Sequence, residues 1–130
     1  MLVVDASVLA TALIDDGRDG DRARFRLRGQ ALTAPAVIDL EVLSAFRQQL
    51  ARGAVDVRRV ELALDDLEAL PLRRAPHLPL LARCWSHRDN LTPYDAAYVA
   101  LAELLGIVLL TADARLANAP GVSCSIELLA

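Results

Sequence analysis

The run Ile107-Val108-Leu109-Leu110-Thr111 constrains this chain more than any other segment. It carries no charge and no alternation between wet and dry faces, so it reads as a strand buried on both sides. Such strands belong to parallel sheets covered by helices. Leu2-Val3-Val4 is a shorter run of the same kind that feeds directly into a helix beginning near Val8, and Val122 to Ile126 is a further strand candidate.

Helical patterns fill the intervals. Asp19 to Arg28 ends at Gly29, and Ala36 to Arg52 ends at Gly53. Ala31 to Ala34 is a short strand ahead of Pro35, and Val55 to Leu67 is a further helix. Ala69 to Leu72, with Arg73 and Arg74, reads as an extended edge strand, where Pro71 is tolerable. A helix opens at Pro76 or Pro79 and runs through Trp85, and Thr92 to Leu105 is a helix stopped at Gly106. Strands alternating with helices predict an α/β fold of three layers, α/β/α, around a mostly parallel sheet.

The 130 residues fit one domain, 1–130, with no repeat or linker dividing it. Hydrophobic residues make up 55% and charged residues 24%, enough apolar surface to offset ordering entropy throughout. An acid at Asp5 precedes any signal-peptide core and no apolar run approaches the ~20 residues that span a bilayer, so a cytoplasmic protein is expected. Cys84 and Cys124 have no metal or disulfide spacing and are expected to be buried thiols in a reducing compartment. The net charge of −3 argues against a strongly basic nucleic-acid coat protein. All fourteen basic residues are arginine, which excludes any mechanism needing a lysine.

In a parallel α/β sheet, ligands gather beyond the carboxyl ends of the strands. Asp5 and Asp113 each follow such an end. Taken singly, Asp5 also fits an N-cap and Asp113 a turn or cap before Ala114. Asp95, in Thr92-Pro93-Tyr94-Asp95, equally fits a capping-box acid. Glu41 and Asp39 both lie in a largely apolar half-helix, and periodicity does not choose between them. A carboxylate there needs a partner or a metal. Several carboxylates without His or Cys ligands form a hard-oxygen set that favours Mg²⁺ or Mn²⁺ over zinc, and phosphodiester hydrolysis is the natural chemistry of such a set.

Together, Val3-Val4-Asp5-Ala6-Ser7, Glu41 after Pro35, the block from Leu91 to Glu103, and Leu110-Thr111-Ala112-Asp113 resemble the PIN-domain ribonucleases, specifically the VapC toxins of type II toxin–antitoxin pairs. The resemblance spans nearly the whole chain. It implies a sheet order of 3-2-1-4-5 and an acidic quartet of Asp5, Glu41, Asp95 and Asp113. Asp5 and Asp95 would be direct Mg²⁺ ligands, and Glu41 and Asp113 would act through water or a second ion. Ser7 and Thr111 match supporting hydroxyl positions. The resemblance further implies cleavage of RNA (tRNA, rRNA or mRNA), a homodimer, and inhibition by a VapB-type antitoxin.

Four other readings compete. A haloacid-dehalogenase-type phosphatase needs an acid where Ser7 stands and a lysine, and a receiver domain also needs a lysine. A non-catalytic PIN-like binding module and an RNA-processing nuclease without an antitoxin keep the fold. Arg22, Arg24, Arg26 and Arg28, with Arg73, Arg74, Arg83 and Arg88, read as a solvated face, with RNA contact the alternative. Trp85 with Leu78, Leu80 and Leu81 reads as core, with a dimer or antitoxin surface the alternative, and His87 reads as a surface or capping group.

Overall fold

The computed structural model describes all residues from Met1 to Ala130. Five parallel strands form one sheet in the order β3-β2-β1-β4-β5: β1 (Leu2–Val4), β2 (Leu32–Pro35), β3 (Leu72–Ala75), β4 (Leu109–Thr111) and β5 (Ile126–Leu128). The helices are α1 (Ala6–Ile14), α2 (Arg18–Leu27), α3 (Ile38–Ala51), α4 (Val57–Ala69), α5 (Leu81–Ser86), α6 (Pro93–Leu105) and α7 (Ala114–Ala117), with a 3₁₀ turn at Leu78–Leu80. This is the expected three-layer α/β/α architecture and strand order. No helix is long and apolar enough to cross a membrane.

The order places a switch point at β1. The chain runs outward from β1 through β2 to β3, then returns to lay β4 on the other side of β1. In sheets of this kind a ligand site is expected beyond the carboxyl ends of the strands at that point, here β1 and β4. Helix α6 packs on β1, β2 and β4 and is backed by α5, while α1 gathers α2, α3 and α4 around it. Ala96 to Ala102 are all buried, because alanines spaced around Tyr98 and Val99 let the helix lie close on the sheet. Thr92 caps α6 by accepting from the Asp95 N–H at 3.2 Å, and Gly106 ends it in the left-handed region at φ 65°. Close packing also explains Gly20, where an added Cβ would lie 1.8 Å from the Asp15 carbonyl oxygen.

Several boundaries differ from expectation for identifiable reasons. The last strand is Ile126–Leu128 rather than Val122–Ile126, since the Ser123 N–H and hydroxyl are held by Glu103 and the ladder to β4 starts only at Ser125. The edge strand begins at Leu72, after Pro71, because α4 continues through Ala69. Pro35 closes β2 without weakening its pairing with β3: the Ala36 N–H supplies the bond to the Ala75 carbonyl.

Four side-chain expectations are corrected. Trp85, Leu78 and Leu81 are 68%, 80% and 55% exposed, so this stripe is surface rather than core. The short α5 docks on α6 with Leu80 just ahead of it buried and Cys84 packed on the core, and Trp85 stacks instead with the Arg88 guanidinium 5.0 Å from its ring. His87 is buried, not superficial, with its Nε2 2.8 Å from Glu103. Both thiols are only half-buried. Nor is the alternating arginine segment a loose solvated face. Arg24 donates to the Ala12 and Asp15 carbonyls, Arg26 makes a forked pair with Glu127 on β5 at 2.7 and 2.8 Å, and Arg22 reaches the Ala130 carbonyl.

Candidate active site

Asp5 follows β1 at the switch point and is 7% exposed. It occupies the N-cap position of α1, yet its side chain makes no capping bond. Instead, Ser7 Oγ and Thr111 Oγ1 both donate to Asp5 Oδ2, at 2.6 and 2.9 Å. Each hydroxyl is itself oriented by a backbone donor from the loop after β4: the Ala112 N–H gives to Ser7 Oγ at 3.0 Å and the Asp113 N–H to Thr111 Oγ1 at 3.1 Å. A hydroxyl has one proton, and accepting from the loop leaves that proton for the acid. Thr111 thus ties the end of β4 to the end of β1 through a carboxylate, and both Ser7 and Thr111 meet Asp5.

Glu41 and Asp39, which periodicity left unresolved, have separate partners. Asp39 is consumed by a forked ion pair with Arg74, both bonds 2.8 Å long. Glu41, half-buried two residues on and so near the opposite side of α3, accepts from the Tyr98 hydroxyl at 2.7 Å. Tyr98 is three residues beyond Asp95, so both stand on one side of α6.

Electrostatics tie the group together. Burial holds Asp5 above the ordinary carboxylate range, the two hydroxyls counter this, and the charge of Asp95 adds to the rise. Glu41 is raised first by burial, eased by Tyr98, and raised further by the charges of Asp5 and Asp95. Tyr98 is pushed far above its ordinary value by burial and by the acid it donates to. The charge of Asp95 thus reaches both Asp5 and Glu41, which places the three acids close together beyond the ends of β1 and β4.

Asp95 does not close a reciprocal capping box. Its backbone is capped by Thr92, but its carboxylate accepts from Arg115 Nη2 at 2.7 Å. Asp113 does serve as a cap, accepting from the Arg115 and Leu116 N–H groups at 2.9 and 3.4 Å, and its second oxygen meets the same Arg115 Nη2 at 3.1 Å. Arg115 is the sole basic side chain paired with any of the four acids. Sequence reasoning missed Tyr98, whose spacing from Asp95 was an available signal, and Arg115, whose spacing from Asp113 signalled only a cap.

The donor set suits a hard divalent cation: carboxylate oxygens, no sulfur, no imidazole, with Asp5 and Glu41 raised first by burial and further by neighbouring acid charge. No three His, Cys, Asp or Glu side chains are already gathered as a metal cage. Oxygen donors that repel one another across a crevice are what a cation would draw together.

The PIN domain family model matches residues 2–122. Among curated relatives, Ribonuclease VapC3 of Mycobacterium tuberculosis is 45% identical over 91% of this chain and 86% of its own length. Ribonuclease VapC1 of the same organism is 41% identical over 98% and 96%. Ribonuclease VapC12 is 39% identical over the whole of both chains. Among solved structures, PAE2754 from Pyrobaculum aerophilum superposes with a TM-score of 0.70 at 23% identity, covering 98% of this chain and 83% of that one. Mycobacterium tuberculosis VapC20, described as a sarcin-ricin loop cleaving toxin, gives 0.68 at 14% identity, covering 95% and 97%. The structural matches show the fold, and the curated relatives narrow it: this chain belongs to the VapC group of the PIN domain family.

Proposed function

We propose that the chain is a Mg²⁺-dependent endoribonuclease that acts as the toxin of a type II toxin–antitoxin pair, with Mn²⁺ able to substitute. The observation that carries this reading is the gathering of acids at the sheet's switch point: Asp5 and Glu41 lie close enough to Asp95 to feel its charge, and burial leaves both without a charged partner. Acids kept raised and underneutralised cost the fold stability, which is the mark of a site built for a ligand. The curated relatives are named ribonucleases, in keeping with this.

Asp5 and Asp95 would hold the ion directly, with Glu41 and Asp113 acting through water or a second ion. Bound there, the ion would supply a water of lowered pKa and stabilise charge on the phosphate. Ser7 and Thr111 hold Asp5 by Oδ2 and fix its carboxylate plane. Tyr98 holds Glu41 by Oε1. The two raised acids must be ionised to bind a cation, so cleavage rises with pH across their titration.

By the same reading the protein is cytoplasmic, forms a homodimer, and is neutralised by a VapB-type antitoxin. Cleavage of total cellular RNA by the purified protein, free of co-purified antitoxin, is the test. It should occur with Mg²⁺, stop with EDTA, and be lost in Asp5→Asn and Asp95→Asn. Cleavage that survives EDTA and both substitutions defeats the reading. A small open reading frame beside the gene separates a toxin from an RNA-processing nuclease with the same catalytic residues.

A further inference from the structure

We propose that Arg115 is a built-in counter-ion of the acidic site, holding Asp95 and Asp113 when no divalent cation is bound and competing with that cation for them. The inference rests on the metal-binding reading above and concerns a residue outside the quartet.

One guanidinium nitrogen of Arg115 lies 2.7 Å from Asp95 Oδ2 and 3.1 Å from Asp113 Oδ2, bridging acids that come from α6 and from the loop after β4. The side chain is 63% exposed, so no packing locks it in place and it can leave without opening a cavity. The remaining acids have no such partner. The side chains that meet Asp5 and Glu41 are neutral hydroxyls, from Ser7, Thr111 and Tyr98. Arg115 also sits on the short α7, whose N-cap is Asp113 itself, so the cation and one of its acids are carried on the same turn. While Arg115 grips two of the four acids, no three carboxylates form a cage. A divalent ion entering beside Asp95 must either displace the guanidinium or bind next to a positive charge. Either event weakens apparent metal affinity.

The opposite role is a positioning one, in which Arg115 fixes Asp95 in the geometry that metal requires. The two differ in sign. A counter-ion that competes makes Arg115→Gln bind metal more tightly, by about tenfold given a lost charge–charge repulsion at partly solvated range. A positioning residue makes it bind more weakly.

The experiment is calorimetric titration of Mn²⁺ alone into the purified chain, the Arg115→Gln and Arg115→Lys variants, and Arg58→Gln. Arg58 lies exposed on α4, and its substitution controls for net charge. Thermal melts with and without Mn²⁺ provide a second readout. Tighter binding in Arg115→Gln, an enlarged Mn²⁺-induced rise in Tm, and an intermediate Arg115→Lys are expected. Unchanged or weaker binding in Arg115→Gln, with wild-type binding intact, overturns this inference alone. Binding by neither protein overturns it together with the metal reading.

Discussion

Helix α6 carries a carboxylate near each end, and the two are treated in opposite ways. At its C-terminal end, Glu103 is 4% exposed at the side chain and fully served: His87 Nε2 lies at 2.8 Å, Arg83 at 3.6 Å, and the Ser123 N–H and hydroxyl donate at 2.8 and 2.7 Å. Burial alone would raise Glu103, but the bonds from His87 and Ser123 outweigh it and leave the acid below its ordinary value. Toward its N-terminal end, α6 presents Asp95 and Tyr98 to Asp5 and Glu41, both of which remain raised. One helix thus holds a carboxylate that staples α5 and the approach to β5, and another whose only charged partner is the exposed Arg115 and whose charge raises Asp5 and Glu41. Burial is common to both ends. What differs is the kind of donor, a buried histidine and a backbone N–H at Glu103 against neutral hydroxyls and one exposed arginine at the other end, and the second end is where chemistry is expected.

The contrast can be broken in several ways. Asp95→Asn should lower RNA cleavage by about a thousandfold or more while the protein stays folded, as judged by circular dichroism. A collapse of the fold would instead make Asp95 a structural capping acid. Removing the hydroxyls that hold Asp5, by Ser7→Ala or Thr111→Val, should weaken Mn²⁺ affinity about tenfold to a hundredfold. Equal affinity in both would show that Asp5 needs no orientation. Stability should move the other way at the other end of the helix. Glu103→Gln should cost about 2 kcal/mol in urea unfolding, because a charged acceptor with several donors is replaced by a neutral one.

The pH dependence sharpens the comparison further. For Asp5 and Glu41 the folded protein holds protons more tightly than the unfolded chain, so their contribution to stability falls as pH rises from about 4 through their raised values. For Glu103 the sign reverses: its contribution is present above about 4.3 and is lost as pH falls through its lowered value. Urea unfolding across this range should show the first slope flattened in Asp5→Asn and the second in Glu103→Gln. The smallest effect is expected for Tyr98→Phe, a loss of about 1 kcal/mol from one hydrogen bond to Glu41.

Much of this was legible in the sequence because it depended on local chemistry. The unbroken apolar run before Thr111 announced a strand buried on both faces, and Thr92, Pro93 and Gly106 marked the ends of α6. Asp5 and Asp113 could be placed at strand ends, and the quartet came from the match of motifs to a family. What could not be read depended on distant partners. Periodicity alone could not choose Glu41 over Asp39; the family match named Glu41, and the pairing of Asp39 with Arg74 on the edge strand lay beyond local reading. His87 became a buried group only through Glu103, and Val122 to Cys124 failed to become a strand because Glu103 holds Ser123. The exposure of Trp85 followed from the shortness of α5, which no periodicity over six residues reveals.

The most direct test of the account measures Asp5→Asn and Glu103→Gln side by side for metal-dependent RNA cleavage and for Tm, at a temperature where both are folded. The account predicts a crossing: Asp5→Asn loses cleavage while its Tm holds or rises, and Glu103→Gln keeps cleavage while its Tm falls. If Glu103→Gln lost cleavage as completely as Asp5→Asn, or if Asp5→Asn kept it, the division of α6 into a structural end and a chemical end would be wrong.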